Sequence, residues 1–224
     1  MQKFKNIIFS IIDSLVRNLS GGLGEKIRYV WYKYFRLKDC GANVRIKESV
    51  YFYNPETISI GNNVVIMAHT LIDGPDSQNN NSIFCKELVN QHYNYSEPMI
   101  KIGNEVQIGA YNLISGLGGI IICDQVTLSA RVSLYSSSHL ARMPDDNNVI
   151  TSANSMAHSN PSPSIKSPLV ISQNAWLGLN VIMFRGTVGK NSFIKTNSLI
   201  LQDIPENAIA DGNPAKIIGK RFQI

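Results

Sequence analysis

The chain has 224 residues, 44% of them hydrophobic and 17% charged, with 21 Lys and Arg against 16 Asp and Glu for a net charge of +5. This size and apolar content suit one cored domain with a small accessory segment. The three cysteines, Cys40, Cys85 and Cys123, lack metal-ligand or redox spacing, and no run reaches the roughly 18 uncharged apolar residues of a membrane span.

Residues 1–50 hold ten Lys or Arg against four Asp or Glu, a net +6, so the rest of the chain is near neutral. Ile7, Ile8, Ile11, Ile12, Leu15, Val16 and Leu19 share one helical face, with Lys3, Lys5, Asp13, Ser14, Arg17 and Asn18 on the other. Asp13 and Arg17 interrupt the run, so no cleavable signal peptide is read. A basic, aromatic stretch follows from Arg28 to Lys38. These features predict a helical segment over 1–44 that either caps an exposed strand edge or lies on an anionic membrane surface. The expected location is cytoplasmic, or peripheral at the inner membrane surface. No nucleic-acid partner is expected.

Beyond residue 45 the dominant signal is a beat of six. Ile60, Ile66 and Ile72 set it; Ile102, Ile108 and Ile114 continue it, then Ile122, Leu128 and Leu134, then Ile171, Leu177 and Met183, then Val188, Ile194 and Ile200. Helices repeat near 3.6 and strands at 2, so a strict six fits neither. It fits a parallel β-helix, in which each hexad supplies one short strand and one corner and three hexads make an eighteen-residue coil. Four places after the anchors stand small or β-branched residues such as Val64, Thr70, Val106, Val126, Ala175 and Thr187, suited to a tight interior. A glycine often follows the anchor, as in Gly61, Gly103 and Gly178, and is read as a bend that tolerates no bulk.

Two long excursions break the beat, Asp73 to Met99 and Leu140 to Pro168, and loops of that length are usually functional or disordered. Two smaller slips, at Gly116–Gly119 and between Met183 and Val188, are read as changes of corner length, since a shift through whole strands would turn apolar residues outward. His139 lies at a corner immediately before the second excursion. There an imidazole can project into a cleft as a general base, or stand as an ordinary surface histidine. His69 falls inside a regular rung, and His92 and His158 lie in the excursions.

The hexads, His139, the re-entry Asn174-Ala175-Trp176-Leu177-Gly178 and the closing Gly212-Asn213-Pro214-Ala215-Lys216 together resemble the hexapeptide-repeat acyltransferases. Among these the chain is similar to the maltose, galactoside and nodulation O-acetyltransferases and to those of bacterial surface polysaccharides. The resemblance implies an all-β, left-handed parallel β-helix over 45–210 with a groove-closing tail at 211–224. It implies a homotrimer that binds acetyl-CoA between neighbouring prisms, and no metal. It further implies that His139 accepts the proton of a sugar hydroxyl, which attacks the thioester directly. Trp176, Gly178, Asn213, Pro214, Ala215 and Lys216 then fall to the cofactor. For the acceptor it suggests Asn112, Arg142 and Asp145, none in full register with the family pattern; Asn112 reads equally as a corner residue bonded to its neighbours. N-acetylation of an amino sugar and a non-catalytic scaffold remain as alternatives. A carbonic anhydrase would need two histidines five residues apart on a metal, and no such pair occurs. The run Gly21-Gly22-Leu23-Gly24-Glu25-Lys26 looks like a phosphate loop but follows no strand pattern.

Overall fold

The computed structural model describes residues 2–76, 85–87, 99–139 and 164–222. From Asp39 onward the chain winds as a parallel β-helix with three faces. Face one stacks Asp39–Cys40, Ile58–Ile60, Ile100–Ile102, Ile120–Ile122, Leu169–Ile171 and Thr187–Val188. Face two stacks Arg45–Ile46, Val65–Ile66, Gln107–Ile108, Thr127–Leu128, Trp176–Leu177, Phe193–Ile194 and Ala208–Asp211, and the antiparallel strand Lys216–Lys220 closes it. Face three stacks Tyr51–Tyr53, Leu71–Asp73, Leu113–Ser115, Ser133–Tyr135, Ile182–Met183 and Leu199–Ile200. Every anchor of the hexad is buried, in one continuous column of Ile, Leu, Val and Met side chains.

The coils differ from the expected eighteen residues. Register partners lie 20 apart at Ile46↔Ile66 and Ile108↔Leu128, but 17 apart at Leu177↔Ile194. The corner at Gly116–Gly119 adds two residues and that at Phe184–Gly186 removes one. Both slips are confined to corners, because Ile114, Ile122, Met183 and Val188 stay buried on either side of them. Thr187 departs from its expected interior place: it is half-buried and begins a face-one strand.

The glycine after the anchor answers to stacking rather than to bending. A Cβ on Gly103 would lie 2.4 Å from Asp124 Oδ1 and 2.8 Å from the Asp124 backbone nitrogen of the next coil. The left-handed backbone falls instead three places after the anchor, at Asn63, His69, Glu105, Asn174, Asn180 and Asn191 among others. Asparagine tolerates that region, and here it also ties coils together. Asn174 Nδ2 donates to Asn191 Oδ1 at 2.9 Å, and Asn180 Nδ2 to Asn197 Oδ1 at 3.0 Å.

Two helices, α1 (Gln2–Arg17) and α2 (Gly21–Trp31), followed by a π-helical turn at Tyr32–Arg36, cover the first coil. Tyr32 is buried against Phe52 with ring centroids 4.7 Å apart, and Tyr29 Oη donates to Gly41 O at 2.9 Å. Arg28, fully buried, donates from Nε to Ile46 O at 2.8 Å and from Nη1 to the Val16, Arg17 and Leu19 carbonyls. It thereby caps the C-terminal end of α1, whose last carbonyls have no partner within the helix. The glycine run is part of this joint: a Cβ on Gly24 would stand 2.1 Å from Leu19 O. It opens α2 after the short turn from α1, not after a strand, so the phosphate-loop reading is set aside. The first coil also begins at Asp39, inside the segment assigned to the cap by sequence.

Candidate functional site

The face-three strand Ser133–Tyr135 runs on into Ser137–His139, which leaves the prism at the corner between faces three and one. Ser137–His139 pairs antiparallel with Ser164–Lys166, and Ser164–Lys166 pairs in parallel with Cys85–Glu87. Short pieces of both excursions thus form a three-stranded sheet beside the prism, with His139 opposite Ser164. Sequence periodicity offers no hint of this pairing, since its strands are three residues long and far apart in the chain.

A cavity of about 270 Å³ opens against this sheet, lined by Ser137, Ser138, His139, Ile165, Ser167, Phe184 and Arg185. Phe184 and Arg185 come from the next coil's corner, one register step above, because Leu134 pairs with Met183. Phe184 stacks on Tyr135, centroids 5.2 Å apart and planes 13° from parallel. His139 is exposed, and among the described residues neither of its ring nitrogens has a hydrogen-bond partner. Arg185, also exposed, forms no ion pair among the described residues. The cavity therefore brings an imidazole, a guanidinium, three serines and an aromatic wall to one place. Such a set can hold a polar ligand, orient it and take a proton from it. Arg185 and Phe184 were not anticipated. Their only sequence signal was the five-residue step from Met183 to Val188, and their approach to His139 depends on what lies between Leu134 and Met183.

Asn112 occupies the other of its two readings. It is buried, its Nδ2 donates to Gly109 O at 3.1 Å, and its Oδ1 accepts from Val132 N at 2.6 Å. Its side chain therefore fastens successive coils and is absent from the cavity lining, because a solitary amide inside an apolar column must be satisfied there. His69 sits at a left-handed corner and stacks on Tyr111 at 4.8 Å. Arg142 and Asp145, with His92 and His158, lie outside the described residues.

The residues assigned to the cofactor stand elsewhere. Trp176 projects from face two, half-exposed, with Nε1 donating to Ser129 Oγ at 3.0 Å and its ring against Phe193. Gly178 at the next corner is accounted for by stacking, since a Cβ there would lie 2.8 Å from Ile194 O. The stretch Gly212–Lys216 turns back over the last coils. Leu199 N donates to Gly212 O at 2.9 Å, and Ala215 N to Leu199 O at 2.8 Å. Ala215 is buried, while Asn213, Pro214 and Lys216 are exposed. None of these residues lines the His139 cavity. Among the described residues no group of three or more His, Cys, Asp or Glu is arranged to hold a metal.

No family model matches the chain. Curated acetyltransferases are similar to parts of it. Galactoside O-acetyltransferase of Escherichia coli is 40% identical over 52 residues, 23% of this chain and 26% of that protein. Galactoside O-acetyltransferase of Lactococcus lactis is 46% identical over 48 residues, 21% of this chain and 23% of that one. The chain thus spans about a quarter of the length of the curated relatives it matches. The fold has wider parallels. A mutant of AntD, an N-acyltransferase from Bacillus cereus solved with dTDP and coenzyme A, superposes with a TM-score of 0.67 over 92% of each chain at 19% identity. A hexapeptide-repeat containing acetyltransferase from Vibrio cholerae gives 0.55 over 96% of this chain and 89% of that one, at 18% identity. The Vibrio protein has also been solved with acetyl coenzyme A. The hexads of this sequence therefore build the same fold as proteins that bind acyl-CoA.

Proposed function

We propose that the chain is an acetyl-CoA-dependent O-acetyltransferase acting on a sugar hydroxyl in bacterial surface-polysaccharide synthesis, with His139 as general base. The observation that carries the reading is the His139 cavity, where an accessible imidazole faces Arg185 and the Tyr135–Phe184 stack. An acetyl thioester would supply the acyl group. His139 takes the proton of the acceptor hydroxyl as its oxygen bonds to the acyl carbon; the C–S bond breaks, and the thiolate leaves with a proton returned by the imidazolium. The prism is read as left-handed, and the protein as cytoplasmic. The decisive experiment follows thiol release from acetyl-CoA with a panel of glycans. Acetyl groups removed by mild alkali are esters; those that resist are amides, which would favour the N-acetyl reading consistent with the N-acyltransferase AntD. No thiol release with any acceptor would leave a binding scaffold.

Arg185 is the natural contact for the acceptor. A charge-assisted hydrogen bond to a ligand contributes about 1.5–3 kcal/mol. Arg185→Ala should therefore raise the acceptor KM about tenfold or more, with kcat and the acetyl-CoA KM changed little. An unaltered acceptor KM would remove Arg185 from the site.

The assembly is read as a homotrimer. His139 leaves the corner between faces three and one, whereas Trp176 projects from face two, so a site using both draws on a second copy. Face three offers a surface for it, because its outward row, Tyr51, Leu71, Leu113, Ser133, Ile182 and Leu199, is largely apolar and in direct register. Such a stripe, half-buried or exposed along six coils, is costly to leave in water. Sedimentation equilibrium should give three times the chain mass; a monomer with full transferase activity would overturn the reading.

A further inference from the structure

The structure assigns a second surface, unrelated to the cavity. We propose that the outer face of α1 and α2 docks on an anionic lipid surface. Ile7, Ile11 and Leu15 of α1 are each more than half exposed, and so is Leu23 of α2; Ile27 and Val30 of α2 are exposed beside it. The inner faces of the same helices are well packed. Phe9 meets Trp31 edge-on at 5.4 Å, Val16 is buried, and Arg28 and Tyr32 reach into the first coil. The exposed aliphatics are therefore surplus to the cap, since covering the strand edge is achieved by the opposite side.

Charge selects the occupant. Residues 1–38 contain eight Lys or Arg and two acids, Asp13 and Glu25. Both acids are turned inward. Asp13 is buried and accepts from Trp31 Nε1 and from Arg36 Nε, the latter at 3.0 Å. Glu25 takes Arg45 at 2.7 Å and Lys47; burial raises its pKa, but those two cations outweigh it and hold the carboxylate below its ordinary range. Lys26 is exposed on α2 beside Leu23 and Ile27. The exposed aliphatics of α2 thus lie beside an exposed cation, Lys26, while Asp13 and Glu25 are engaged by cations of the fold. A bilayer of anionic lipids matches both features at once. Among the described residues no helix is long and apolar enough to cross a membrane, so the contact is one of lying on the surface.

The test uses the full chain in co-sedimentation with vesicles of phosphatidylcholine alone and with about 30% phosphatidylglycerol. Wild type should bind the anionic vesicles, and raised salt should weaken the binding. The double variant I11E/L23E should bind about tenfold or more weakly, with an unchanged melting temperature because both positions face water. Lys26→Glu, which leaves every aliphatic in place, should weaken binding to anionic vesicles by several-fold. Equal binding to both vesicle types, or undiminished binding by both variants, would overturn the proposal. So would a wild-type assembly that I11E/L23E splits into smaller particles without a change in vesicle binding, which would give the face to a second copy of the chain.

Discussion

His139→Ala should lower kcat by about 10²–10⁴, the usual contribution of a positioned proton acceptor. The fold should survive, since the side chain is exposed at a corner and outside the column of buried anchors. The KM for acetyl-CoA should hold, because the base acts on the acceptor and the candidate cofactor residues lie on another face. His69→Ala is an informative control: its ring is occupied by Tyr111, so some stability is lost and activity retained. His92→Ala and His158→Ala should also keep most of the activity. If His139→Ala stays within a few-fold of wild type while His158→Ala abolishes turnover, the base belongs to the second excursion.

The second large effect concerns stability. Arg28→Met keeps much of the volume but removes the guanidinium donors to the carbonyls of Val16, Arg17, Leu19 and Ile46, while Leu19 N still donates to Val16 O and Ser49 N to Arg17 O. Removing the buried charge relieves a desolvation cost, yet the carbonyls at the end of α1 and at Ile46 lose their charged partner. The balance should be a loss of about 2–4 kcal/mol, in line with breaking one side of a buried polar network. In a stacked fold each coil contacts only its neighbours, so the damage should be local. Amide exchange should accelerate in α1, α2 and the first coil, while the coils from Ile100 onward keep their protection. Loss of protection along the whole prism, or none anywhere, would show that Arg28 is not the joint between helices and β-helix.

Much of the architecture is legible in the sequence. A period of six admits one regular solution, and each anchor from Ile60 to Ile200 is found in the core as that solution requires. The helical segment was legible from a 3.6-residue pattern, and the positions of both irregular corners from slips in the beat. These are local properties: apolar spacing records the period of a strand or helix and, along the prism, which side faces the core; in α1 it does not record the side, since Ile7, Ile11 and Leu15 are exposed and Asp13 is buried. The glycine after the anchor was located but misattributed, because the pressure on it comes from the backbone of the coil above. Asn112 was legible in one of its two readings, as a corner residue bonded to its neighbours; its burial between Gly109 and Val132 is a property of stacking.

The site depended on tertiary structure for a related reason. His139 could be singled out by its corner and by resemblance, but its neighbours could not. Phe184 and Arg185 reach it because one coil, with an excursion of unpredictable length inserted, returns in register at Leu134↔Met183. The small sheet that joins Ser137–His139 to Ser164–Lys166 and Cys85–Glu87 is set by pairings between distant three-residue segments. The hexad sets Met183 over Leu134, but it constrains none of the pairings made by the excursions. Sequence by itself determined the repeating column, since that is written in the local apolar period. Only the folded chain decided what stands beside His139 and which face of the helices is left to water, because those depend on where the excursions and caps return against the prism.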